Sequence, residues 1–296
     1  MSFDRTVRRK YFSHGMTVLT GLSIVVIMIP LIAIIYEAAS IGGSVINVQF
    51  FTQGIPYPCN SPPAASCNQG GVLVPIEGTL FLLALSALIS VPIGIGAAIF
   101  AVEYGGERVS ARVIGLMADV LSGVPSIVAG AFVWTVMVLY YPSIVYSTLS
   151  GSLALSVLMI PIVTRTCEEA LRTVPHSVRE AALALGISRW KTSMRIVFVA
   201  ALPGVVTGVL LSIARAAGEA APLLLTLGNG CPHLLQGLTT PGCSLSIWIF
   251  IGATNPYHNW YLLAWGCALL LLMIILILSI SSRLVLQRLA RRMRGG

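Results

Sequence analysis

Charge is what this chain has least of. Asp, Glu, Lys and Arg together make up 9% of its 296 residues, where a soluble domain carries about a quarter. That shortage excludes an ordinary water-facing globule and points to a bilayer. Histidine is scarce as well: His14, His176, His233 and His258 fall in connections or at the edges of apolar runs. No nucleophile, histidine and acid fall into a hydrolytic set with them. No Cys-x-x-Cys pair or His/Cys cluster has metal-ligand spacing, so neither a metal nor another cofactor is expected. A phosphate cradle for ATP is also missing. The run Gly186-Ile-Ser-Arg-Trp-Lys191-Thr192 ends like one but lacks the glycine before the lysine. The chain is therefore expected neither to hydrolyse ATP nor to act as an enzyme.

Lys and Arg are absent from two further places, the stretches 40–74 and 229–258. The basic residues that exist are clustered: Arg5, Arg8, Arg9 and Lys10; Arg108 and Arg112; six from Arg165 to Arg195; and five from Arg283 to Arg294. Only Arg215 stands alone. The net charge of +8 is thus spread over alternate connections between apolar runs. That is the positive-inside pattern of a membrane protein rather than a basic face for nucleic acid. Hydrophobic residues make up 56% of the chain and the mean hydropathy is +0.91.

The apolar runs predict an all-α integral membrane protein with six transmembrane helices, over 17–39, 78–102, 115–141, 144–164, 197–227 and 259–282. Each is near the ~20 residues that cross a bilayer. Both termini then lie in the cytoplasm. The first run is too long for the apolar core of a signal peptide and is taken as a retained helix. The expected organisation is an N-terminal segment 1–16, a membrane domain 17–282 in contact with lipid, and a basic tail 283–296. Glycines and prolines interrupt several spans: Pro92, Gly94 and Gly96; Gly123 and Pro125; Gly204, Gly218 and Pro222. They fit either a pathway lined by broken helices or ordinary kinks and close packing.

The cysteines divide by location. Cys59 and Cys67 share one loop expected outside, and Cys231 and Cys243 share the other. Local disulfides 59–67 and 231–243 are candidates, with a bridge between the loops as the alternative. Cys167, just past the fourth span, and Cys267, in the sixth, are read as reduced packing residues.

Between residues 165 and 195 the pattern turns helical and amphipathic, with Pro175 suited to a helix start and Gly186 to a helix stop. A short helix of this kind either rests on the bilayer or seats in a partner's groove. Glu180-Ala181-Ala182, Gly186 and Ile196 together resemble the EAA loop of ABC-importer permeases, which share the MetI-like fold. The Leu-Pro that usually ends that motif is replaced by Phe198-Val199, and a Leu-Pro stands instead at Leu202-Pro203. The resemblance implies that Glu180, Ala181, Ala182 and Gly186 couple the membrane domain to a separate ATP-hydrolysing subunit. It also implies a MetI-like core over about 75–282 and a coupling loop over 165–195.

Three further runs narrow the resemblance. Leu121 to Val128, Pro161 to Arg172 and Ile213 to Leu224 are similar to phosphate-importer permeases. Gly218-Glu219-Ala220-Ala221-Pro222-Leu223 is closest to the PstA type of subunit rather than its PstC-type partner, with Ala220 where that type usually has threonine. The resemblance implies a plasma-membrane permease subunit of an ATP-driven inorganic phosphate importer. Its implied partners are a PstC-type permease, a dimer of ATP-binding subunits and an extracytoplasmic phosphate-binding protein.

Arg215 and Glu219 are four apart inside a predicted span. They form either a site where a guanidinium offers its planar donors to a passing oxyanion or a structural bridge to another helix. Arg165, at a span end, is marked by the resemblance as part of the path and by its position alone as an interfacial anchor. Ser126 either donates to the anion or satisfies backbone near Pro125. Asp119 pairs with a basic residue or caps a helix. Other readings are a permease for molybdate, tungstate or sulfate, an intramembrane enzyme, and a scaffold that signals external phosphate.

Overall fold

The computed structural model describes residues 3–59, 70–106, 108–228, 231 and 237–294. Among them every regular element is helical. We number the principal helices α1 (Phe3–Glu37), α2 (Val48–Thr52), α3 (Leu73–Gly105), α4 (Val109–Gly123), α5 (Ser126–Tyr140), α6 (Thr148–Arg172), α7 (His176–Ala184), α8 (Arg189–Ala217), α9 (Ala221–Thr226), α10 (Leu245–Thr254) and α11 (His258–Arg294). Among the described residues, five helices are long and apolar enough to cross a membrane, and a sixth crossing exists if the bent pair α4–α5 is one span.

That pair is the main departure from the expected spans. In place of one helix over 115–141, α4 and α5 meet at 105°. The cause is local: a residue before proline is pushed out of the helical region, and Val124 accordingly takes φ −70°, ψ 129° ahead of Pro125. The fifth expected span, 197–227, also breaks, at Gly218–Ala220, and resumes as the single turn α9 with Pro222 near its start. A third departure lies in 229–258, read as an outside loop. It contains α10, an apolar helix too short to span, which Ser244 caps at its start. Ser244 Oγ accepts from the Ile247 N–H at 3.2 Å, a standard N-cap. The Leu245 N–H donates to Thr79 Oγ1 on α3 at 2.8 Å.

The bundle is built on α3 against α6, with α8 packed on α6 and α11 on both α8 and α10. Small residues permit this. A Cβ at Gly94 would sit 2.7 Å from Val163 of α6, and one at Gly78 would sit 1.9 Å from the Cys243 carbonyl oxygen. Close helix approach through glycine supplies the packing that an apolar solvent cannot drive. Several apolar clusters result among the described residues, two of which bear on the site. One gathers Phe50, Val72, Leu245, Trp248 and Leu263; the other gathers Ile99, Val163, Leu171, Val197 and Val205 at the end that carries α7. By contrast, none of the most apolar stretch of the first spanning helix is buried within the chain.

Candidate functional site

Arg215 lies in the last turn of α8, just before the break at Gly218. Its side chain is 66% exposed in the isolated chain, and its Nε stands 4.0 Å from Glu219 Oε1. Glu219 is not on the same helix, as the four-residue spacing had implied. It sits in the break, with its N–H donating to the Ala216 carbonyl at 3.1 Å. Ser246 Oγ of α10 donates to the Glu219 carbonyl at 2.9 Å and so holds the break in place. On its other side the break meets α5, where a Cβ at Gly130 would lie 2.5 Å from Pro222 Cα. Ser126 is the first residue of that helix and is half-buried. The helix end and the break thus set a guanidinium that makes no hydrogen bond among the described residues beside a carboxylate at the limit of ion pairing. That combination can take up an anion without first breaking a tight salt bridge.

Arg165 is placed elsewhere. Its Nε donates to Asp119 Oδ1 at 2.8 Å, Nη1 to Glu168 Oε2 at 2.7 Å and Nη2 to the Gly115 carbonyl at 2.8 Å, and Nη2 also contacts Asp119 Oδ2. Glu168 is buried and accepts from Arg172 Nη2 at 2.7 Å as well. Arg165 therefore clamps α4 onto α6. Its donors are taken up by these groups rather than by the Arg215–Glu219 pair. Asp119 is the partner of a basic residue, one of the two roles considered for it.

At the same end of the bundle, α7 forms a knob. Pro175 precedes it, Ala182 is turned inward, and Glu180 and Ala181 face outward. Gly186 takes φ +76°, in the left-handed region. Its N–H donates to the Leu183 carbonyl at 2.9 Å, and the Ile187 N–H donates to the Ala182 carbonyl at 3.1 Å. This closes the helix in the way that glycine C-caps do. Leu183, Leu185 and Trp190 stand exposed around it, Leu185 at 80%. One residue here had no sequence signal assigned to it. Glu103, at the end of α3, is buried and accepts Arg179 Nη2 at 2.8 Å. Its only mark in the sequence is an acid closing an apolar run.

Of the loop cysteines, Cys231 and Cys243 form a disulfide with Cα atoms 4.8 Å apart. Cys67 lies outside the described residues. The Cys59 N–H donates to Asn259 Oδ1 at 3.1 Å, which ties this loop to the start of α11.

A model of the family described as binding-protein-dependent transport system inner membrane component matches residues 90–295. The chain is 37% identical over 290 residues to the phosphate transport system permease protein PstA 1 of Mycobacterium tuberculosis, spanning 98% of this chain and 92% of that one. It is 36% identical to the phosphate transport system permease protein PstA of Haemophilus influenzae, over 94% of this chain and 95% of the relative. Among solved structures it is similar to the bacterial alginate ABC transporter in complex with its periplasmic protein. The TM-score there is 0.64 at 12% identity, covering 94% of both chains. The MetNI methionine ABC transporter gives a TM-score of 0.56 at 18% identity, over 73% of this chain and 96% of that one. At such low identity, these two likenesses bear on the fold alone.

Proposed function

The chain belongs to the binding-protein-dependent transport system inner membrane component family and to its PstA-type permeases, and on that premise we propose that it is a membrane permease subunit of an ATP-driven inorganic phosphate importer. The observation that carries the substrate is the identity to PstA permeases sustained along nearly the whole chain. The protein is a multi-pass plasma-membrane subunit and not an enzyme, with ATP hydrolysed by a partner. An ATP-binding subunit and an extracytoplasmic binding protein complete the assembly.

The finer reading joins the two sites. The exposed knob of α7, with Glu180, Ala181, Ala182 and the Gly186 stop, seats in the ATP-binding subunit. Leu183, Leu185 and Trp190 supply the apolar contact that a helix-in-groove interface needs. Movement of that knob tilts the bundle. Phosphate released from the binding protein passes Arg215, whose donors suit its oxygens, and Glu219 offsets the arginine charge between transport cycles. Both termini lie on the cytoplasmic side with the basic loops. A second permease of the PstC type covers the path and, with lipid, the exposed faces of α1. The membrane domain is 17–282, followed by the basic tail 283–296. Cys231 and Cys243 brace the outer loop, and Ser126 lines the path from α5.

Proteoliposomes holding the chain with its partner subunits test the substrate. ATP-dependent uptake of radiolabelled phosphate is expected, resisting excess molybdate and sulfate. Uptake of molybdate or sulfate in place of phosphate would refute the phosphate assignment while leaving the permease.

A further inference from the structure

Glu103 is a buried carboxylate that the transport path does not use. Its side chain is 6% exposed and that of Arg179 is 15% exposed. Arg179 of α7 donates to Glu103 Oε1 from Nη2 at 2.8 Å and from Nε at 3.0 Å. The same guanidinium donates from Nη1 to the Val174 carbonyl at 2.7 Å and from Nη2 to the Leu171 carbonyl at 3.0 Å. It therefore also caps the end of α6. Glu103 Oε2 accepts from Ser193 Oγ of α8 at 3.3 Å, and the Glu103 carbonyl accepts from Arg189, whose guanidinium lies 5.4 Å from the Tyr104 ring centre. One carboxylate and one guanidinium thus tie four helices, α3, α6, α7 and α8.

Two observations give this knot a mechanical meaning. The backbones of α7 and α3 approach each other little, and beside the pair the surface opens into a cavity of about 640 Å³ lined by Glu103, Arg172, His176, Arg179 and Arg189. The tie between them is made chiefly by side chains. The backbones that carry the carboxylate and its serine donor are also irregular. Glu103 lies in the π-helical end of α3, Phe100–Gly105, and Ser193 in the π-helical stretch Thr192–Val197 of α8. Such segments are common at functional sites.

We infer that Glu103 and Arg179 form the joint through which movement of α7 reaches α3, making them positioning residues for coupling rather than for anion binding. The inference rests on the reading of α7 as the helix that meets the ATP-binding subunit. Pulling on α7 moves the guanidinium, and the guanidinium carries the carboxylate and the end of α3 with it. A neutral amide keeps the shape but loses the charge-assisted bonds that make the tie stiff.

The assembled complex with its ATP-binding subunits, partner permease and binding protein is reconstituted with native chain, Glu103→Gln or Arg179→Lys. ATP hydrolysis and anion uptake are measured in the same vesicles, at equal amounts of assembled complex. The expected result is hydrolysis that persists while uptake falls, so that ATP spent per anion rises by roughly 5- to 150-fold, the span of coupling energies between sites. A native ratio in either assembled variant would overturn the joint. So would failure of both variants to assemble, which would make the pair purely structural. If the native complex moves another anion, the ratio is taken with that anion, so failure of the phosphate reading and failure of the joint remain distinct.

Discussion

At the scale of single residues, charge in an apolar chain is the informative quantity. Arg215 could be singled out from sequence because it is the one basic residue outside a cluster, and an intramembrane charge without purpose is expensive. Its relation to Glu219 was less legible. Spacing suggested a helical pair, but the helix ends at Ala217 and leaves the two at 4.0 Å across a break. Glu103 could not be found this way at all, since its guanidinium partner comes from 76 residues further along the chain. Gly186 gives a prediction at this scale. A side chain at φ +76° costs about 1–2 kcal/mol. Gly186→Ala should therefore lower recovery of the ATP-binding subunit with the affinity-purified chain by roughly 5- to 30-fold. Unchanged recovery would show that the turn tolerates the strain.

At the scale of elements, the long helices followed from hydropathy, and the departures share a cause. Val124-Pro125 and Gly218 to Pro222 are short breaks inside apolar runs, and hydropathy summed over a window passes straight across them. The proline rule that bends α4 from α5 is local, whereas the run is not. α10 was missed for the opposite reason: ten residues, Leu245–Thr254, are too few for a span and lie in a stretch rich in turn residues. Its capping serine was visible, but its packing against Thr79 of α3 was not. α7 was legible as an amphipathic helix with a start and a stop, because the signals are adjacent in the chain. Its exposed apolar rim carries the next prediction. Leu185→Asp places a charge where a groove is expected to bury leucine, at a cost of about 3 kcal/mol. The ATP-binding subunit should then be lost from the purified complex while the chain itself stays in the membrane. Full retention would place the contact elsewhere.

At the scale of the whole molecule, two surfaces bear on the proposed pairing with a second permease. The first spanning helix buries none of its most apolar stretch within the chain, and Arg215 is largely uncovered. Under the proposed function a second permease closes the path beside Arg215 and, with lipid, covers that helix. The proposed function comes to one claim: phosphate crosses beside Arg215, driven by ATP hydrolysed on a partner. Radiolabelled phosphate uptake by the reconstituted complex, native against Arg215→Ala at equal assembly, tests that claim most directly. Losing charge-assisted bonds to the anion costs about 2–3 kcal/mol, so uptake should fall by roughly 30- to 150-fold with the subunits still together. Uptake at the native rate in the variant would contradict the account and leave Arg215 and Glu219 as a structural pair.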